Sequence, residues 1–265
     1  MALPAPSADS AALVTGASSG IGIDLARELA QRGHNLVLVA RRKERLDEVA
    51  AELRSDSVRV ETIACDLADP AARDALPAQI AELGLTVSIL VNNAGYGSAG
   101  KFTELDGAAE AQMVRLNCEA PVALASVYAK EMVDRGSGAI LNVASSAGFQ
   151  PIPKQATYAA TKAFMLNWSD ALHAELKGPG VAVTALCPGP VETEFAEVAG
   201  AEGLFDNAPS FSMVSSEDVA RQAIEGLEKN RRNVVPGLAI KIATTSSRFT
   251  PRSVLLPAMS KFYPA

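Results

Sequence analysis

Two histidines and three cysteines are all that the 265 residues offer by way of soft metal ligands or disulfide partners. Cys65, Cys118 and Cys187 are far apart, odd in number and form no CxxC pair, so they read as buried thiols of a reducing compartment. His34 and His173 complete no ligand set with them, and no metal is expected. No apolar run approaches the ~18 residues that a membrane span needs. The first ten residues, MALPAPSADS, carry no basic stretch ahead of an apolar core, so residues 1–10 are expected to be a loose, flexible tail and not a signal peptide. Blocks of positive charge are scarce too: beyond Arg41, Arg42, Lys43 and the pair Arg231, Arg232, cations are scattered through a chain of net charge −6, which argues against a nucleic-acid partner. Internal repeats, low-complexity stretches and dividing linkers are also missing. With 48% hydrophobic and 20% charged residues the chain can bury one large α/β core, and a single cytoplasmic domain is the expectation.

What is present is an alternation. Short runs rich in Val, Ile, Leu and Ala fall at 11–15, 35–40, 58–64, 87–91, 139–144, 181–186 and 233–235. Segments of helical spacing lie between them, at 21–32, 43–54, 70–83, 106–133, 155–177 and 216–229. Strands apolar on both faces and separated by helices predict a mostly parallel seven-stranded sheet, doubly wound, with helices on both faces.

Between the first run and the first helix stands TGASSGIG, with Gly16, Gly20 and Gly22. Glycines let the backbone turn sharply and approach a ligand, and the following helix N-terminus offers free N–H groups to a pyrophosphate. The spacing is GxxxGxG where the usual dinucleotide fingerprint is GxGxxG, so an ordinary turn stays open. After the second run, where an acid would bind the adenosine ribose hydroxyls, the chain reads Ala40, Arg41, Arg42, Lys43, with no acid until Glu44. Guanidinium groups suit a 2′-phosphate. NADPH is therefore expected over NADH, with Arg41 as the first choice for the phosphate contact and Arg42 the second, against the alternative of a solvated helix start. Asp66 and Leu67 follow the third run and could face an adenine. Asn92, Asn93, Ala94 and Gly95 follow the fourth, at the edge where ligands of such sheets collect; taken singly, these also suit turns.

Further on, Ser145 follows the fifth run, and Tyr158 and Lys162 stand four residues apart in a helical segment. That spacing puts both side chains on one helix face. A cation near a phenol favours the phenolate, so the pair could trade a proton with a substrate oxygen that Ser145 hydrogen-bonds. Alone, the pair fits a plain helix surface as well.

Together these segments (TGASSGIG, CDL, NNAG, Asn117, Ser145, Tyr158 with Lys162, and CPGPVET) resemble, in order and spacing, the short-chain dehydrogenase/reductase family over about residues 11–237. The resemblance implies a Rossmann-type fold that binds NAD(P)(H) and a catalytic tetrad: Tyr158 as acid/base, Lys162 as its partner and ribose ligand, Ser145 (with Ser146 as rival) polarising the carbonyl, and Asn117 bending its helix and anchoring a water. It further implies cofactor contacts by Gly16, Ser18, Ser19, Gly20, Ile21, Gly22, Asp66, Leu67, Asn93, Ala94, Gly95, Tyr158, Lys162, Pro188, Gly189, Val191 and Thr193. The finer likeness is to NADPH-using ketoacyl and steroid-type reductases. A homodimer or homotetramer through the long helices is also implied. An epimerase or dehydratase on the same fold, or a non-catalytic NADP-binding or sensing protein, are the alternatives.

Residues Glu194–Met213, with Phe195, Val198, Leu204, Phe205, Phe211 and Met213, suggest an apolar lid and hence a hydrophobic ketone or alcohol; packing on a neighbouring helix or subunit is the other reading. Beyond Gly237 the chain leaves the family pattern. Residues 238–265 are expected to form helix-sized pieces broken at Pro251 and Pro257, which could cap the cleft, touch a membrane surface or pack between subunits.

Overall fold

The computed structural model describes residues 3–191 and 213–262, with the side chains of the last two of these left aside. Seven strands form one parallel sheet in the order β3-β2-β1-β4-β5-β6-β7: β1 (Ser10–Thr15), β2 (Asn35–Ala40), β3 (Val60–Ala64), β4 (Thr86–Asn92), β5 (Gly138–Val143), β6 (Val181–Leu186) and β7 (Asn233–Val234). Among the described residues, the helices between these strands are α1 (Ile21–Gln31), α2 (Lys43–Leu53), α3 (Pro70–Glu82), α4 (Gly107–Val114), α5 (Ala120–Arg135), α6 (Ala156–Leu176) and α7 (Ser216–Glu228). Two more close the chain, α8 (Leu238–Ser247) and α9 (Arg252–Phe262).

The sheet is buried on both sides because successive strand residues point to opposite faces and both faces are apolar. Ala12 and Val14 of β1 face one layer with Leu25 and Leu29 of α1, Leu46 of α2, and Ile224 and Leu227 of α7. Ala11 and Leu13 face the other, with Leu76 and Ile80 of α3 and with Leu124, Tyr128 and Met132 of α5. Strand order reverses between β1 and β4, which pair with each other in register Val14↔Val91. The connections after these two strands therefore diverge to opposite faces and leave a crevice at the carboxyl edge.

Three expectations change. Residues 3–9, anticipated as a loose tail, lie against the domain: the Asn35 amide donates to the carbonyls of Ser7, Ala8 and Ser10 at 3.0, 3.2 and 3.1 Å, and Leu3 packs on the core. One buried asparagine with several carbonyl partners can anchor a polar segment that periodicity reads as loop. Second, the helical stretch 106–133 is two α-helices joined by a π-helical turn, Arg115–Glu119. Pro121 has no N–H to give the carbonyl of Asn117 four residues back, so the regular ladder cannot run through this point, and the N–H of Ala120 reaches the Arg115 carbonyl instead. Third, α9 runs through Pro257 and is not broken there. The proline costs the bond to Ser253, an exposed residue whose carbonyl water can serve. Pro251 does mark a boundary, between α8 and α9.

Candidate active site

The crevice is built first from the glycine turn. Gly16 has φ +66°, and a Cβ placed on it would come within 2.8 Å of both Ala94 Cα and Asn93 Nδ2; one on Gly22 would lie 2.2 Å from the Gly16 carbonyl oxygen. The turn after β1 is thus pressed onto the segment after β4 with no room for side chains. Asn93 and Thr15 fasten the two together. The Asn93 amide donates to the carbonyls of Thr15 and Gly16 at 2.9 and 3.2 Å, while Thr15 Oγ1 accepts from the backbone N–H of Asn93 and Ala94 and donates to the Val91 carbonyl. Thr15 was not among the candidate residues, and its signal was only a hydroxyl ending an apolar strand. Asn93 serves here as a clamp between loops.

Gly20 is the N-cap of α1, with φ +54°, and no side chain caps the helix. The turn therefore presents uncapped first-turn N–H groups, a donor set suited to a pyrophosphate. Ser18 is buried beside it, and Arg42 Nη2 lies 3.3 Å from the Ser18 carbonyl oxygen and 3.4 Å from its hydroxyl, which draws the start of α2 over the loop. Arg41 is exposed. Burial pushes the Tyr96 phenol upward; Glu110 and Asp66 act in the same sense and Arg41 against it, so the charges of Arg41 and Asp66 are felt at Tyr96. Asp66 Oδ1 accepts from the Ala68 N–H at 3.0 Å. Ile21 and Leu67 pack their side chains on or into the core, so what they can offer a cofactor is backbone. These residues fit a dinucleotide with a phosphorylated ribose: uncapped helix N–H groups where a diphosphate would lie, and guanidinium groups one strand away.

From the same segment the crevice continues to the chemistry. A Cβ on Gly95 would stand 2.9 Å from Asn117 Oδ1 and 3.6 Å from Lys162 Nζ. Residues 93–95 therefore touch the glycine turn on one side and the Asn117–Lys162 pair on the other. Asn117, in the π-helical turn, donates to the Tyr96 carbonyl at 2.9 Å and to Thr161 Oγ1 at 3.1 Å and accepts from the Tyr96 N–H. Its side chain is spent on holding α6 against that turn, and Pro121 is the sequence signal that leaves its carbonyl without a helical donor.

Lys162 is buried and donates to the Val143 carbonyl at 2.9 Å. Its Nζ lies 5.8 Å from the centre of the Tyr158 ring. Desolvation pulls this ammonium down to about 8, and the thiols of Cys118 and Cys187 offset part of that. Tyr158 sits in an apolar group with Met113, Ala147 and Ile152, joined by Tyr96 and by Met259 of α9. Ser145 caps a short 3-10 turn (Ser146–Phe149), its oxygen accepting the Ala147 N–H at 3.1 Å. The hydroxyl proton of Ser145 therefore stays available to another acceptor. The rival, Ser146, uses its backbone N–H to hold Pro188 at 2.8 Å, which ties the 188–191 segment to the same edge. Gly189 packs against Ile240 of α8, where a Cβ would meet Cγ1 at 2.7 Å, and Val191 lies on the core. Thr193 and positions 194–212 of the expected lid are outside the described residues.

Asn92 departs from the ligand edge: it is buried, and its amide donates to Asn142 Oδ1 at 2.8 Å, with Asn142 donating in turn to Ser169 at 2.9 Å. This polar chain ties β4, β5 and α6 together beneath the site. Among the described residues there is no group of His, Cys, Asp and Glu that could hold a metal ion.

Comparison with known proteins gives a consistent picture. A family model described as short chain dehydrogenase matches residues 10–202. A granaticin polyketide synthase putative ketoacyl reductase from Streptomyces violaceoruber is 39% identical over 204 residues, covering 74% of this chain and 73% of that one. A very-long-chain 3-oxoacyl-CoA reductase from Pyrenophora tritici-repentis is 36% identical over 217 residues, covering 79% of this chain but 63% of the relative's own length. Among solved structures, a short-chain dehydrogenase from Sphingobium yanoikuyae in complex with NADPH superposes with a TM-score of 0.81 at 35% identity, over 94% of this chain and 95% of the other.

Proposed function

This chain belongs to the short-chain dehydrogenase family, and from that premise we propose that it interconverts a carbonyl and a secondary alcohol, with NADPH preferred over NADH and an apolar 3-oxoacyl or similar ketone as substrate. The observation that carries the reading is the segment 93–95, which lies against Gly16 at Asn93 and Ala94 and against Asn117 and Lys162 at Gly95. The relatives' names as ketoacyl and 3-oxoacyl-CoA reductases and the apolar surroundings of Tyr158 support the substrate class.

The nicotinamide, when bound, supplies or accepts the hydride. Tyr158 gives its phenolic proton to the carbonyl oxygen as the alcohol forms, and takes it back in the reverse direction. Ser145, its lone pair engaged by Ala147 N–H, donates its hydroxyl proton to the same oxygen and orients it. Lys162 has two N–H donors beyond the one given to Val143, which would hold the hydroxyls of the cofactor's ribose. Asn117 positions Lys162 and Tyr158 by holding α6 through Thr161.

The test is NADPH consumption, followed by absorbance, against ketones and 3-oxoacyl thioesters of graded chain length. Turnover is expected to rise with apolar chain length. Tyr158→Phe is expected to lose roughly 10²–10⁴-fold in rate, the span of general acid catalysis, while binding NADPH with unchanged affinity. Turnover retained in that variant removes Tyr158 as the acid. Product formed without net NADPH oxidation moves the enzyme to the epimerase or dehydratase class.

A further inference from the structure

The chain's last helices invert the usual surface pattern. α8 turns hydroxyls inward: Thr244 and Ser247 are buried and bonded back to their own helix, at 2.9 Å to the carbonyls of Ile240 and Thr244. Its large apolar side chains point out, Leu238 at 75% exposure and Ile242 at 58%, followed just past the helix by Phe249 at 83%. With Thr245 these positions are spaced by four, three and four residues, which is one stripe along a helix, and Lys241 and Arg248 run beside it seven residues apart. Water is a poor cover for such a stripe.

Charge says what covers it. Residues 238–265 contain Lys241, Arg248, Arg252 and Lys261 and no Asp or Glu, in a chain whose net charge is −6. The stripe borders, at Leu238 and Thr245, a cavity of about 380 Å³ that Arg231, Arg232, Lys241 and Arg248 also line. Glu225 also lines it, already paired with Arg221 and Lys229; Arg232 lies 3.6 Å from Asp170, and Arg248 stacks over Phe149 at 5.1 Å. Among the described residues neither Arg231 nor Lys241 has a carboxylate within ion-pairing distance. A bilayer interface meets both demands at one depth, with acyl chains for the apolar stripe and phosphates for the cations beside it. We propose that α8 docks the chain peripherally onto anionic lipid, Leu238, Ile242 and Phe249 entering the interface and Lys241, Arg248 and the cavity's arginines lying against headgroup phosphates. No described helix is long and apolar enough to cross a membrane, so the association is interfacial. The docked helix also reaches the site, through Ile240 against Gly189, and α9 after it does so through Met259 beside Tyr158, which puts the lipid surface next to the crevice. This placement stands independently of the reaction proposed above.

The experiment is flotation of the full chain with vesicles of phosphatidylcholine alone and of phosphatidylcholine mixed with phosphatidylserine. Binding is expected to the mixed vesicles only, and to weaken with salt. Lys241→Ser with Arg248→Ser is expected to reduce partitioning roughly 25-fold, from about a fivefold loss per cation near the surface. Ile242→Ser with Phe249→Ser is expected to reduce it about tenfold or more with an unchanged melting temperature, since both side chains are exposed. Failure of the parent to float, or flotation indifferent to both double variants, overturns the proposal. So does a dimer that Ile242→Ser dissociates in light scattering while the parent ignores vesicles, because the stripe is then covered by a second copy.

Discussion

Lys162 shows at the scale of one residue how a site costs stability. Its ammonium is buried with one carbonyl partner, and desolvation brings it from the ordinary 10.5 to about 8. At neutral pH, below both values, the folded chain holds the charged form at a cost of roughly 3 kcal/mol, by about 1.4 kcal/mol per pKa unit. The sign follows from proton counting: between about 8 and 10.5 the unfolded chain binds more protons at this position, so the penalty fades as pH rises through that window. Lys162→Met is therefore expected to stabilise the apo protein at pH 7 by on the order of 1–2 kcal/mol, after the cost of orphaning the Val143 carbonyl, while abolishing turnover. Denaturant melts of parent and variant at pH 7 and pH 10 check this, with the gap between them expected to close at the higher pH. The difference is what matters, because burial raises Cys118 to about 11 and Cys187 to about 12 and these thiols drive absolute stability the other way. A variant no more stable than the parent at pH 7 means the ammonium is better solvated than its burial implies.

Among elements, the junction of β2 and α2 carries the cofactor choice. Its two arginines differ in a way that residue type does not reveal. Arg42 reaches back to Ser18 and so helps hold the glycine turn, whereas Arg41 is exposed, its charge opposing the upward shift of the Tyr96 phenol. Arg41→Asp is expected to weaken NADPH much more than NADH, by about tenfold or more for a lost charge-assisted contact, as fluorescence titration of both nucleotides will read. Equal losses would place the phosphate contact elsewhere, Arg42 first. Most elements were legible from periodicity to within a residue or two, because strands apolar on both faces and helices with one apolar stripe leave unmistakable patterns. The π-helical turn was hidden from that method. Its cause is one proline acting on a carbonyl four residues earlier, a hydrogen-bonding fact that apolar spacing does not register.

For the molecule as a whole, stability in acid joins the two ends of the domain. Arg32, at the end of α1, bonds Glu228 at the end of α7 at 2.6 Å, and His34 is buried next to it with its ring pushed down by desolvation and by Arg32. A histidine whose pKa is lowered in the fold binds its proton more readily on unfolding. Its contribution is present above about 6.5 and is lost as pH falls, by up to about 1.4 kcal/mol per pH unit. His34→Gln is expected to flatten the stability profile of the parent between pH 6.5 and 5, measured by urea melts, with the carboxylates common to both cancelling in the comparison. Parallel profiles would show that the imidazole protonates inside the fold.

Apolar periodicity alone determined the alternation of strands and helices. The spacing of TGASSGIG, Tyr158 with Lys162, and the segments between them determined the family, because such features depend only on neighbours along the chain. Tertiary structure decided whatever depends on residues far apart in sequence meeting. It put Asn93 and Thr15 to clamping two loops, buried Asn92 beneath the crevice, anchored residues 3–9 on Asn35, and made Arg42 a tether of the glycine turn. It also turned the apolar side of α8 outward, since which face of a helix meets the domain is settled by what the rest of the fold leaves uncovered, and no local pattern contains that.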